Sequence, residues 1–359
     1  MINVGVDIHK RICQACLKDE RGSIVEEFRF RNNQEGVAKL AMVLKKHGEA
    51  KVALESTGNL WVKIYDRLDE EPDIDVILSN PKKTRIIAEA KIKNDKLDAR
   101  LLADLVRADL VARSYVPPKE IRMQRALLRE RISLVESRTM IKNHVHALLD
   151  KYEIQSMYTD LFGKRGREWL RSLNLLGIDQ TILEVNLQRL EELEAHIDAF
   201  TRKIAQEAVE KPEVRLLMGF TGIDYYSAML LASEIGDVTR FPSAKKLVSY
   251  AGLAPGTRQS AEKTIHGHIV KDGNKRMRWI LVEAAQHASR HDPRLRAFYL
   301  RILKRRGYQR AIVAVARKML VAMYHVLSKN EAYHGVRGEL FERKLKRLEW
   351  ETSRSLQAQ

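Results

Sequence analysis

Asp95 and Asp98 stand three residues apart in Lys93-Asn94-Asp95-Lys96-Leu97-Asp98-Ala99, at the start of an apolar-periodic segment through Leu101, Leu102 and Leu105. On a helix that spacing sets both carboxylates on one face, with Cβ atoms roughly 5–6 Å apart. Carboxylates that close repel each other unless positive charge lies between them. Lys93, Lys96 and Arg100 supply it at a surface, and a divalent metal supplies it in a cleft. An acidic first turn also complements the helix dipole without any metal, so the pair alone stays open between a solvated helix start and half a metal site. Two more acids come after short apolar runs: Asp7 after Val4-Gly5-Val6, and Glu55 after Lys51-Val52-Ala53-Leu54. Singly, Asp7 reads as a strand-terminal turn acid and Glu55 as a helix-start acid.

The elements around these acids decide whether they meet. Apolar runs predict strands over 4–8, 11–19 and 23–30, the last two joined by Asp19-Glu20-Arg21-Gly22. Val37, Leu40, Ala41 and Leu44 share a helical face over 33–47. A strand over 51–54, a helix over 60–68 and a strand over 75–78 come next, and Asn80-Pro81 opens a basic connection to the Asp95 helix. Three strands, a helix, then alternating strand and helix is the order of an RNase H-like (RuvC-like) α/β fold. Its first strand lies centrally beside the fourth, which sets Asp7 and Glu55 at adjacent strand ends. Open α/β sheets build their sites outside the strand carboxyl ends, and the Asp95 helix can reach the same place.

The chain has 359 residues, enough for two or three domains, and its 45% hydrophobic content suffices for a core. No apolar run reads as a membrane span and no leader is evident, so a soluble, cytoplasmic protein is expected. Cys13 and Cys16 form a lone C-x-x-C, half a zinc site at most, within the second strand. Sixty-four Lys and Arg against 47 acids give +17. That excess favours a polyanionic partner, and the absence of a lipidation motif turns the choice to nucleic acid.

Pro117-Pro118 marks a boundary, dividing residues 1–116 from the rest of the chain. Long helices are expected over 120–152 and 179–211, as an antiparallel pair or a dimerising coiled coil, with a simple intramolecular bundle equally open. Arg122, Arg125 and Arg129 share one face of the first and read as nucleic-acid contacts. Beyond Pro212, helix, Gly219-x-x-Gly222 and an Ala-rich helix make a helix-hairpin-helix-like pattern. Its turn either offers N–H groups to a phosphate or simply connects two helices tightly. Residues 251–260 read as a Gly- and Pro-rich loop, and helices are expected over 275–287 and 309–327. Arg258, Lys271, Lys275, Arg276, Arg301 and Arg305 are the further nucleic-acid candidates. The expected division is thus 1–116, a long-helix region over 117–211, a mainly helical C-terminal domain over 212–330, and a charged, loosely held tail over 331–359.

Gly5-Val6-Asp7, Leu54-Glu55-Ser56-Thr57-Gly58 and Asn94-Asp95-x-x-Asp98-Ala99 resemble the DEDD tetrad of the IS-one-ten type of bacterial insertion-sequence transposases, which are bridge-RNA-guided recombinases. Gly252-Leu253-Ala254-Pro255, Gln259-Ser260 and Lys271-Asp272-Gly273-Asn274-x-x-Met277-Arg278 resemble the second domain of the same family. The two motif sets agree in order and span nearly the whole chain.

The resemblance implies that Asp7, Glu55, Asp95 and Asp98 bind Mg2+, with Mn2+ as a substitute, and that Ser260 attacks a DNA phosphate. Hard divalent cations take carboxylate oxygens, and a serine hydroxyl needs activation to act as a nucleophile. It further implies donor and target DNA, a structured guide RNA, a homo-oligomer (dimer or tetramer), and a nucleoid-associated place in a bacterial cytoplasm. The expected function is cutting and rejoining DNA through a seryl-phosphate link. Two other readings compete: a RuvC-like metal-dependent junction nuclease that uses water, and a non-catalytic nucleic-acid scaffold.

Overall fold

The structure is a computed structural model that describes residues 1–55, 58–81, 83–84, 94–260, 263–270 and 272–356, with the main chain alone at 257–260, 263–266 and 355–356. It divides into two compact units, Met1–Val116 and Pro117–Gln359.

In the first unit β1 (Ile2–Asp7), β2 (Ile12–Lys18) and β3 (Ile24–Arg31) form an antiparallel meander. Helix α1 (Gln34–Lys46) leads to β4 (Ala50–Leu54), which pairs parallel to β1. Helix α2 (Val62–Asp69) leads to β5 (Ile74–Leu78), parallel to β4. The strand order is β3-β2-β1-β4-β5, with β1 central and β4 beside it. Val4, Val6, Val52, Ala53 and Leu54 are fully buried, as strands covered on both faces require. Asn33 caps α1 by accepting from the Gly36 N–H, and its apolar stripe at 37, 40, 41 and 44 lies in the core.

Helix α3 (Asp95–Arg107) packs on the other face of the sheet. Its start is fixed by Asn94, whose side chain accepts from the Lys96 and Leu97 N–H groups. Gly5 makes the close approach possible: a Cβ there would stand 2.1 Å from the Ala99 carbonyl oxygen and 2.5 Å from the Ala103 nitrogen. Ion pairs fix the helix along its length. Lys18 Nζ meets Asp104 Oδ2 at 2.6 Å, and the Arg100 guanidinium grips both oxygens of Glu27, with Nη2 to Oε2 at 2.8 Å.

The second unit is mainly helical. Helices α4 (Lys119–Lys151) and α6 (Ile178–Val209) run antiparallel, with the short α5 (Lys164–Ser172) near one end. Ile141, Val145, Leu148 and Leu149 pack with Leu183, Leu187 and Leu190. Lys151 pairs with Asp179 at one end and Lys211 with Glu120 at the other. The long helices thus pair within one chain, which is the intramolecular alternative.

Helices α7 (Pro212–Met218), α8 (Tyr225–Ile235), α9 (Ala244–Tyr250), α10 (Lys275–His291), α11 (Pro293–Arg306) and α12 (Tyr308–Lys329) build the largest core, around Phe220, Leu231, Leu281 and Leu320. Helix α12 is long and apolar enough, by length and composition, to cross a membrane, contrary to the expectation that no segment is. Its face of Ala311, Ile312, Val315, Ala316, Met319 and Leu320 is nevertheless buried in this core. Residues expected as a loop instead form a hairpin, β6 (Pro255–Ser260) against β7 (Lys263–Ile269). Backbone pairing there overrides a composition that favours turns. The tail is likewise firmly held: α13 (Gly338–Leu356) buries Leu348, packs on α6, and sends Lys344 Nζ to the carbonyls of Met218 and Phe220, each at 2.7 Å.

Candidate metal centre

Asp7 is the last residue of β1 and is only 3% exposed. Glu55 directly follows β4, and its N–H donates to the Val6 carbonyl oxygen at 3.2 Å, which sets it beside Asp7. Asp95 opens α3 and reaches the same place because Gly5 lets that helix lie against β1. His9, two residues beyond β1, stands between the acids, with Nε2 3.1 Å from Asp7 Oδ2 and 3.2 Å from Asp95 Oδ1. Asp98 is half-buried one turn along α3 and makes no ion pair among the described residues. The structure therefore brings Asp7, Glu55 and Asp95 together, places Asp98 on the adjoining turn, and adds His9.

The electrostatics are those of crowded carboxylates. Burial pushes the Asp7 carboxyl up to about 7, helped by a hydrogen bond with Glu55 and by the neighbouring acidic charges, while His9 works in the opposite direction. For His9, burial disfavours the charged form, but Asp7 and Asp95 outweigh it and hold the imidazolium above its usual range. Among the described residues Asp7 Oδ2 is buried and has no hydrogen-bond partner beyond its ion pair with His9. A buried carboxylate oxygen with so little compensation is costly. Ligand atoms of Asp7, His9 and Asp95 all lie within 4.8 Å of one another. This donor set fits a divalent cation, which would neutralise the acids and engage that oxygen.

The β6–β7 hairpin carries Ser260 at its turn end, paired with Lys263 across the ladder. The side chains of Arg258, Ser260 and Lys263, and Lys271 as a whole, lie outside the described residues. The base of the hairpin is tightly built. Gly252 has φ +69°, and a Cβ on Gly273 would stand 2.2 Å from the Gly252 nitrogen. Asn274 caps α10 by accepting from the Arg276 and Met277 N–H groups, and its Nδ2 donates to Glu234 Oε2 at 2.8 Å.

Glu234 changes the reading of the arginine face on α4. It is 1% exposed, and Arg129 donates Nη2 to its Oε1 at 2.7 Å. Arg125 donates to the Ser233 and Glu234 carbonyl oxygens at 2.8 and 2.9 Å, closing the end of α8. Arg125 and Arg129 therefore stabilise the fold internally and do not stand out as phosphate contacts; Arg122 is half-buried beside them. The Gly219–Gly222 turn is also a packing element. A Cβ on Gly222 would meet the Ala284 carbonyl oxygen at 2.7 Å, and Asp224 occupies the N-terminus of α8 by accepting from the Ser227 N–H. An acid capping that helix opposes a phosphate there. Lys275, Arg301 and Arg305 are exposed, and with Arg294, Arg296, Lys304 and Arg306 they make α11 a basic surface helix.

Two family models match the chain: a DEDD transposase model over residues 4–154, and the model described as "Transposase IS116/IS110/IS902 family" over residues 214–300. The chain belongs to the IS110 family of transposases. The transposase for insertion sequence element IS1111A of Coxiella burnetii is 26% identical over 346 residues, covering 92% of this chain and 90% of that protein. The pilin gene-inverting protein of Moraxella bovis is 28% identical over 352 residues, covering 92% and 97%. The protein y4qE of Sinorhizobium fredii is 33% identical over 242 residues; that match covers 66% of this chain and 59% of the relative's length. The DEDD match points to an RNase H-like architecture for the first unit and to divalent-metal use by the family. It gives the clustered acids a chemical reason that a merely structural cluster would lack.

Sequence reasoning missed His9. The available signal was its place two residues past an acid-terminated strand, where the turn into β2 must fold back over the strand end.

Proposed function

We propose that this transposase cuts and rejoins donor and target DNA with a divalent metal held by Asp7, Glu55, Asp95 and Asp98 and with Ser260 as nucleophile. The observation that carries the reading is the meeting of Asp7 with Glu55 and with Asp95, at neighbouring strand ends and one helix start, around a buried Asp7 oxygen that has no hydrogen bond among the described residues. Magnesium, or manganese in its place, would neutralise the acids and offset negative charge gathering on a phosphate. In the proposed step the Ser260 Oγ–phosphorus bond forms as the phosphorus–oxygen bond to the leaving sugar breaks. The serine proton is lost and the leaving sugar oxygen gains one, and rejoining reverses the step.

The second unit is read as a long-helix region over 117–211, a catalytic C-terminal region over 212–330 and a tail over 331–359. Lys275, Arg276, Arg301 and Arg305, together with Arg258 and Lys271, would grip phosphates. Such contacts give affinity and register but no sequence information. Target choice is therefore assigned to a structured guide RNA, within a homo-oligomer acting in the cytoplasm at the nucleoid.

The test is cleavage of element-end DNA by purified protein with and without RNA from the element's flank. Cleavage should require the RNA and be redirected by changes in its pairing loops. It should vanish in Asp7→Ala, Glu55→Ala, Asp95→Ala, Asp98→Ala and Ser260→Ala. Site-specific cleavage that survives RNase overturns the guide assignment, and normal cleavage by Asp95→Ala overturns the metal site.

A further inference from the structure

We propose that His9 is itself a ligand of the metal centre, through Nε2, making the site a mixed nitrogen–oxygen set that favours Mn2+ and other transition ions over Mg2+ more than carboxylates alone would. The inference rests on the metal reading above and adds a residue outside the four acids.

The spacing carries it. An octahedral ion with ligands at 2.0–2.1 Å places adjacent ligand atoms about 3 Å apart. His9 Nε2 already stands 3.1 Å from Asp7 Oδ2 and 3.2 Å from Asp95 Oδ1. Two of the three donor pairs thus already have that spacing, and all three residues offer ligand atoms within 4.8 Å of one another, so an ion that displaces the His9 Nε2 proton can be reached by all three. Asp7 Oδ2, the oxygen 3.1 Å from His9 Nε2, is buried and has no hydrogen bond among the described residues, so it remains available to an ion.

The turn that carries His9 is fixed. Asn32, 6% exposed, donates Nδ2 to the His9 carbonyl oxygen at 2.8 Å, and the Asn32 N–H donates to the Arg11 carbonyl oxygen at 2.9 Å. The imidazole is held over the strand end while about half of its side chain stays exposed, leaving coordination positions open on the solvent side. Imidazole suits Mn2+, Fe2+ and Zn2+, whereas Mg2+ prefers oxygen ligands and retains water.

The test is Mn2+ binding to the full chain, read by electron paramagnetic resonance with electron spin-echo modulation, which reports nitrogen in the inner coordination sphere. Bound Mn2+ should show directly coordinated nitrogen. Asp7→Asn should abolish the tight site. His9→Asn should lose the nitrogen signal, keep Mg2+ binding, and lower Mn2+ affinity by on the order of tenfold, the lower range seen when even an outer-shell partner of a metal ligand is removed. Asp7-dependent Mn2+ binding without nitrogen coupling, or coupling that persists in His9→Asn, overturns the His9 assignment and leaves the carboxylate site standing. Binding that is insensitive to Asp7→Asn overturns both.

Discussion

Gly5 lies so close under Ala99 that a Cβ would stand 2.1 Å from the Ala99 carbonyl oxygen. This contact, two residues before Asp7 and four after Asp95, sets the distance between the strand and the helix that carry the acids. Gly5→Ala should cost about 1–3 kcal/mol of stability by overpacking. It should also move α3 outward, and a displacement of about 1 Å at reacting groups is enough for roughly a hundredfold loss of rate. Mn2+ affinity and cleavage rate should therefore fall together in a protein that still folds. Unchanged metal affinity would show that α3 is positioned by other contacts.

Asp7→Asn should remove activity yet stabilise the metal-free protein. The folded-state pKa of Asp7 is raised from 3.8 to about 7. Between those values the folded chain holds a proton that the unfolded chain has released, so the stability contribution is present below about 3.8 and is lost as pH rises through about 7. An amide at this position carries no charge and can donate to Glu55. In EDTA above pH 7 the variant should be the more stable by up to about 4 kcal/mol, and the gap should close toward pH 4. A variant less stable than wild type at pH 8 would contradict the crowded-carboxylate account.

Glu27 predicts the opposite pH course. Its hydrogen bonds with Arg100, and then with Lys96, hold the Glu27 carboxyl down at about 2 from 4.5. Its stabilisation is present above about 4.5 and lost as pH falls through about 2. Solvent screens this pair, so Glu27→Gln should cost about 1 kcal/mol at pH 7, with the difference from wild type disappearing in acid. Hydrogen exchange along β3 and α3 is the measurement, because this pair ties α3 to the sheet edge.

The two arginine groups should separate cleanly. Replacing exposed Arg301 and Arg305 together by Ala should leave unfolding unchanged and reduce the slope of log affinity for nucleic acid against log salt by about 1–2. Glu234→Ala should do the reverse, costing about 3–5 kcal/mol because Arg125 and Arg129 lose their buried partner. A salt slope altered by Glu234→Ala in a stable protein would restore the α4 face as a phosphate contact.

That contrast shows what the sequence could and could not tell. The strands and α1–α3 were legible because short apolar runs and the stripes Val37-Leu40-Ala41-Leu44 and Leu101-Leu102-Leu105 agree locally. Asp7, Glu55 and Asp95 were legible as a group because each sits at an element end whose place is fixed by sheet order. Arg125 and Arg129 were not, since an arginine stripe on a helix looks the same whether phosphate or Glu234, over 100 residues away, faces it. The β6–β7 hairpin hid behind Gly, Pro and Ser, because its ladder is made by backbone groups that composition does not report. His9 carries no periodic signal, and its significance comes only from where the turn folds.

Covalent capture of cleaved DNA decides whether Ser260 is the nucleophile. Wild-type protein, guide RNA, Mg2+ and a DNA substrate nicked so that the cleaved fragment diffuses away should yield a protein–DNA adduct, and mass spectrometry should map it to the peptide containing Ser260. The adduct should be absent from Ser260→Ala and from Asp7→Asn. Efficient cleavage with no adduct would favour a metal-dependent nuclease that uses water, and an adduct on another residue would move the nucleophile away from Ser260.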